Sequence, residues 1–248
     1  MRRTILITGA SSGLGEGMAR EFAAMGRRLA LCARRIERLE ALKRELEAAH
    51  PECRVSVRAL DVNDHDAVFR VFEAFAAEFG GLDRIIVNAG IGEGRCIGTG
   101  YFEVNRRTAE TNFVAALAQC EAAVRIFRRQ GHGHLVAIAS VSAVRGLPRH
   151  LTTYAATKAG LAALAEGIRA ELIASRIRVS TIYPGYVRTE LNAGAGRLPF
   201  EVDAATGSRA LVRAIEREPV KAYVPAWPWA LIGFLMRRVP LRVLARLS

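Results

Sequence analysis

Lysine is almost missing from this chain, which carries its positive charge on arginine. Of 36 basic residues only Lys43, Lys158 and Lys221 are lysines, against 24 acidic residues and a net charge of +12. Those arginines are scattered through helical and loop patterns alike, without the interleaved aromatics of a strand-binding surface, so nucleic acid is excluded as the partner. Cysteine is scarce too. Cys32, Cys53, Cys96 and Cys120 stand far apart with no Cys-x-x-Cys pair, which excludes a disulfide framework and a zinc site, so no metal is expected. No apolar run reaches the ~20 residues of a membrane-spanning helix. Met1-Arg2-Arg3 leads too quickly into Gly9 for a signal peptide, so a soluble cytoplasmic chain is expected.

What the sequence does have is rhythm. Short β-branched or apolar runs (Thr4–Thr8, Leu29–Ala33, Arg54–Leu60, Leu82–Asn88, His134–Ala139, Arg178–Tyr183, Lys221–Ala226) alternate with helical patterns. The helices are expected near 14–25, 36–49, 64–79, 104–129, 154–175 and 204–216. Asp64 is placed to cap the third, and Gly80-Gly81 to end it. Strand–helix alternation of this kind predicts an α/β fold: a single Rossmann-type, doubly wound parallel sheet of about seven strands with helices on both faces. No linker or repeat divides the chain. Residues 1–226 form one domain, with a 22-residue tail after it.

Three motifs carry chemistry. Between the first strand and helix, Thr8 is followed by Gly9, Ala10, Ser11, Ser12, Gly13, Leu14 and Gly15. Glycines there let the backbone turn tightly and approach a pyrophosphate, which the helix N-terminus then favours. The spacing is Gly-x-x-x-Gly-x-Gly instead of the commoner Gly-x-Gly-x-x-Gly. At the end of the second strand, where an acid would accept from the ribose hydroxyls of NAD, Arg34 and Arg35 stand instead, which favours the 2′-phosphate of NADP(H). Finally, Tyr154 and Lys158 lie four apart on one helical face. A free tyrosine titrates near ~10, and a neighbouring ammonium favours the phenolate and draws that value down.

In this order the motifs resemble the short-chain dehydrogenase/reductase (SDR) family, NADP-preferring, over Thr4 to about Val224. The matching residues are Thr8–Gly15, Asp61-Val62, Asn88-Ala89-Gly90, Asn112, Ser140, Tyr154 with Lys158, and Pro184-Gly185 followed by Val187 and Thr189. The resemblance implies an oxidoreductase that moves a hydride between a nicotinamide and a carbonyl or alcohol. It makes Tyr154 the acid or base and gives Lys158 the nicotinamide ribose. Ser140 would polarise the carbonyl, and Asn112 would hold a water linking Lys158 to solvent. Asp61 and Val62 would flank the adenine, Asn88-Ala89-Gly90 the ribose, and Pro184, Gly185, Val187 and Thr189 the nicotinamide. Ser142 is the alternative to Ser140, lying 12 residues before Tyr154 where Ser140 lies 14. The family also implies a homodimer or homotetramer, for which Ala159, Ala162, Ala163 and Leu164 offer an apolar face. A catalytically silent NADP(H) sensor is the competing class, and it predicts a damaged catalytic set.

Residues 190–216 fall where this fold carries its substrate lid. Leu191, Leu198, Pro199 and Phe200, with Arg188 and Arg197 as the cations, suggest a hydrophobic, lipid-like ketone. In the tail, 227–248, Trp227 and Trp229 precede a predicted basic amphipathic helix from Arg237 to Leu247 that sets Arg238, Arg242 and Arg246 on one face. Such a segment packs on its own domain or a partner subunit, or anchors the protein peripherally to a membrane.

Overall fold

A computed structural model describes residues 2–190, 194, 196 and 198–245. Seven parallel strands form one sheet in the order β3-β2-β1-β4-β5-β6-β7. They are β1 Thr4–Thr8, β2 Arg28–Ala33, β3 Val55–Ala59, β4 Arg84–Val87, β5 Gly133–Ile138, β6 Ile177–Pro184 and β7 Lys221–Val224. The helices between them are α1 Gly13–Ala24, α2 Ile36–Ala49, α3 His65–Phe79, α4 Phe102–Ala109, α5 Ala115–Gln130, α6 Leu151–Glu171 and α7 Ala204–Glu216. Strand order reverses between β1 and β4, which opens a crevice at the carboxyl ends of the strands.

Alternation along each strand divides the core in two. Leu6 and Ile85 face Phe72, Phe75, Ile126 and Phe127 on the α3–α5 side. Ile5, Ile7 and Ile86 face Met18, Phe22, Leu211 and Ile215 on the α1–α7 side. Registers such as Ile7↔Leu31 and Ile7↔Ile86 fix that division. Asp64 accepts from the Ala67 N–H at 2.9 Å and starts α3, and Gly80, at φ +71°, ends it. Of the α6 positions expected to face a partner, Ala162 is buried toward the sheet and Ala163 is exposed.

Three predicted elements differ from the observed ones. The long central helix is not uniformly α: residues Glu110–Val114 form a π turn between α4 and α5. The tail begins as a helix, α8 (Ala226–Met236), where an apolar segment alone was expected. The predicted basic helix from Arg237 to Leu247 is cut by Pro240, which lacks the N–H that would continue it, leaving only the short α9 (Leu241–Leu244). Arg246 and Leu247 lie outside the described residues, as do Leu191, Asn192 and Arg197 of the lid.

At the amino ends of the strands sits a buried ionic cluster. Arg84, fully buried on β4, donates to His134 Nδ1 at 2.9 Å and also pairs with Glu216. His134 Nε2 lies 2.8 Å from Ser180 Oγ. Burial, then Arg84 and Arg2, hold the His134 pKa well below its ordinary value. The unfolded chain therefore takes up a proton near ~6.5 that the folded chain refuses. Stability is full above that pH and declines as pH falls toward the folded pKa. Urea titrations across this range should show that decline, and it should vanish in His134→Gln.

Candidate active site

The crevice is built from loops that each strand delivers. After β1, Gly9 and Gly13 take left-handed φ of +65° and +58°, values that an L side chain adopts rarely. A Cβ on Gly9 would stand 2.9 Å from Ala89 Cα, and one on Gly15 2.3 Å from the Gly9 carbonyl oxygen. The loop is thus packed too closely for side chains. Ser12 occupies the N-cap of α1 without capping it, so the first N–H groups of the helix point toward the crevice. Across the gap, a Cβ on Gly13 would meet Thr189 at 3.4 Å, so the loops after β1 and β6 face each other.

The hydroxyl of Thr8 holds the neighbouring strand end, accepting the N–H groups of Asn88 and Ala89 at 3.0 and 3.1 Å. Asn88 answers by donating to the Thr8 carbonyl at 2.9 Å. Val62 is buried, and Asp61, exposed, accepts from Asn63 at 3.0 Å. At the end of β2, Arg34 is exposed, whereas Arg35 turns onto the glycine loop. Its guanidinium donates to Ser12 Oγ at 2.7 Å and Ser11 Oγ at 3.3 Å. Arg35 also meets Glu190 at 3.2 Å, and Glu190 meets Arg38 at 2.6 Å. Arg38 and then Arg35 hold the Glu190 carboxyl below its usual range.

Tyr154 and Lys158 lie in the first two turns of α6, beside the end of β5. Ser140, extended at the end of that strand, accepts the Ser142 N–H at 3.1 Å. Burial raises the Tyr154 pKa, while the Ser140 hydroxyl against the phenol acts to lower it and Tyr186 to raise it. The net direction is upward, opposite to the expectation from the Tyr–Lys spacing. The reason is visible in the lysine: Lys158 Nζ is buried and donates to the Ile138 carbonyl at 2.9 Å. Its own pKa is lowered to about 8 by burial. Of the two candidate serines, Ser140 is the one against the phenol.

Asn112 sits in the π turn, a kind of distortion that concentrates at functional sites. Its Oδ1 accepts the Ile91 N–H at 2.8 Å and its Nδ2 donates to the Ile91 carbonyl at 2.8 Å. Asn105 grips Arg95 in the same way, at 3.0 and 3.1 Å. These contacts strap the 90–95 loop onto the helix, and a Cβ on Gly90 would lie 3.0 Å from Asn112 and 3.5 Å from Lys158. The strap is a role that sequence reasoning missed. So are Arg38, three residues after Arg35 and legible from that spacing, and Glu190, whose reach to the arginines no local pattern announces.

Pro184, buried, ends β6, and Gly185 after it donates its N–H to the Val224 carbonyl at 2.8 Å. A Cβ on Gly185 would stand 2.0 Å from Trp229 Nε1, so glycine is what lets α8 close over this loop. Trp229 is buried and meets Tyr186 and Phe200 edge to face, with centroids 5.2 and 6.1 Å apart. Val187 is buried and bridges to Val202. This wall is therefore aromatic, its Tyr186 bears on the Tyr154 phenol, and the tail contributes Trp229 to it. Among the described residues no group of three or more His, Cys, Asp or Glu could hold a metal ion.

The residues fit a nicotinamide dinucleotide: a glycine loop too tight for Cβ atoms, an uncapped helix N-terminus, and Arg35 anchored at the far end. The sequence pattern of the family described as short chain dehydrogenase matches residues 3–197. An uncharacterised oxidoreductase of Mycobacterium tuberculosis is 52% identical over 247 residues, covering 100% of this chain and 98% of that protein. An alcohol dehydrogenase of the archaeon Thermococcus sibiricus, complexed with 5-hydroxy-NADP, superposes with a TM-score of 0.79 at 26% identity, over 89% of this chain and 95% of that one. A bulky-bulky ketone specific alcohol dehydrogenase of Comamonas testosteroni reaches a TM-score of 0.76 at 27% identity, over 89% and 85%.

Proposed function

The chain belongs to the short-chain dehydrogenase family, and on that premise we propose that it interconverts a bulky hydrophobic ketone and its secondary alcohol with NADP(H). The observation that carries this reading is the Ser140–Tyr154–Lys158 cluster, set beside a glycine loop whose Ser11 and Ser12 hold Arg35. When bound, the nicotinamide supplies or accepts the hydride. Every other task falls to the chain.

Ser140 directs its hydroxyl at the oxygen of the substrate, where negative charge grows as the carbonyl is reduced. Tyr154 gives that oxygen its proton. A phenol whose pKa is raised by burial remains protonated at neutral pH, the form that reduction requires. Lys158, anchored through Ile138, offers its remaining N–H groups to the ribose of the cofactor. Asn112 steadies the loop above it and carries the water-borne link from Lys158 to solvent. Asp61 and Val62 flank the adenine, and Asn88, Ala89 and Gly90 line the ribose. Pro184, Gly185, Val187 and Thr189 bound the nicotinamide. Arg35, with Arg38 beside it, receives the 2′-phosphate through a fork of donors that suits a phosphate. The aromatic wall of Tyr186, Phe200 and Trp229 favours a bulky apolar substituent on the ketone, as does the specificity of the Comamonas relative.

The test is oxidation of NADPH, followed by absorbance, with ketones of graded bulk, compared with NADH in the same assay. NADPH and bulky ketones should be preferred. Arg35→Ala should raise KM for NADPH by about tenfold or more, the effect of losing a charge-assisted contact, and leave KM for NADH nearly unchanged. Preference for NADH, or for small polar carbonyls such as sugars, would refute the reading.

A further inference from the structure

Helix α8 is apolar on both sides, yet only one side is covered. Trp229 and Gly233 face inward, against Gly185 and Tyr223. The Arg145 guanidinium donates to the carbonyls of Met236 and Val239 at 2.6 and 2.5 Å, holding the C-terminal end of the helix to the domain. The outward side presents Trp227, Leu231, Phe234 and Leu235, exposed by 75%, 46%, 55% and 49%. Leu231, Phe234 and Leu235 follow helical spacing and form one stripe, and Trp227, whose backbone is extended (φ −94°, ψ 132°), stands exposed at the kink before it. A rigidly held apolar stripe of this kind marks an interaction surface.

The charge beside it says what covers it. No acidic residue follows Glu218 in the sequence. Arg237, Arg238 and Arg242 are exposed at the end of the stripe, and the Arg238 guanidinium lies 3.8 Å from the centroid of the Phe234 ring. A two-fold contact between copies through this face would bring the same arginines toward one another. A surface of anionic phospholipid has the complementary charge and accepts apolar side chains and tryptophan at the level of its headgroups.

We propose that the outward face of α8, with its flanking arginines, docks the protein peripherally on anionic phospholipid bilayers. No helix among the described residues is long and apolar enough to cross a membrane, so the contact is interfacial. Docking does not depend on the reaction proposed above. Its geometry nevertheless bears on that reaction, because the inner face of the same helix carries Trp229 in the aromatic wall of the crevice. A bilayer-dissolved substrate would enter where the protein touches the lipid.

The test is flotation of the full chain with vesicles of phosphatidylcholine alone or mixed with phosphatidylglycerol. The chain should float with the mixed vesicles and bind at least about tenfold less to phosphatidylcholine, or to mixed vesicles in high salt, which screens the arginines. L231E/F234E should abolish flotation with melting temperature and NADPH affinity unchanged. R238E/R242E, which leaves the apolar stripe intact, should weaken it and serves if the first variant does not fold. Failure of the intact chain to float with anionic vesicles would overturn the proposal. So would a variant that still floats, or one that instead loses a dimer on size exclusion, which would assign the stripe to a second copy.

Discussion

Tyr154→Phe is expected to lower kcat by about 10²–10⁴-fold, the usual worth of a positioned general acid, while NADPH affinity stays within about twofold. The substitution keeps the ring in its place on α6 and removes only the hydroxyl. Neither the glycine loop nor Arg35 depends on that oxygen, so cofactor binding, followed by NADPH fluorescence, should persist. Melting temperature should move little, because the ring keeps its packing and only the contact of its hydroxyl with Ser140 is lost. The separation of the two readouts is the point: damage to the fold would lower both. Turnover within tenfold of the parent, with cofactor still bound, would remove Tyr154 from the role of acid.

Gly15→Ala should have the second large effect, and for a geometric reason. The added methyl would lie 2.3 Å from the Gly9 carbonyl oxygen and 2.7 Å from Asn88 Nδ2. Neither neighbour can retreat: Gly9 is backbone in a tight turn, and Asn88 is bonded to the Thr8 carbonyl. Overpacking of this kind costs about 1–3 kcal/mol. Because the loop that must shift also faces the pyrophosphate, NADPH affinity should fall by at least about tenfold, a loss of the same order. Gly167→Ala is the control. Its Cβ would meet nothing within 4 Å on the exposed side of α6, so that variant should gain up to about 1 kcal/mol from better helix propensity and bind NADPH as before. Paired thermal melts and fluorescence titrations distinguish the cases.

The sheet was legible from sequence because its signal is local. Runs such as Ile5-Leu6-Ile7 and Ile85-Ile86-Val87 are apolar on both faces, as a central parallel strand must be, and the bounds of α2 and α7 follow from their apolar period. The members of the candidate site were legible as a list, but their couplings were not. That Lys158 bonds a carbonyl of β5, and that Tyr154 is thereby left to burial and to Ser140, depends on how α6 meets the sheet. The ion pairs of Glu190 with Arg35 and Arg38 span about 150 residues of chain, beyond any window. In the tail, the spacing of Arg238, Arg242 and Arg246 suggested a helix that Pro240 forbids, and there a steric rule outweighed a pattern.

The wide turn at Glu110–Val114 amounts to one residue too many in a helix, absorbed in a single widened loop of backbone. Asn105 lies before it and Asn112 within it, and between them they buckle the same loop at Arg95 and Ile91. Because the surplus is taken up locally, the helix beyond it stays in phase, and Ala116, Cys120 and Ala123 of α5 still meet the core. Losing a residue from the regular part of α5 would instead rotate everything after it by about 100° and turn that apolar face away. The turn is the one place in this helix where a change of length can be accommodated.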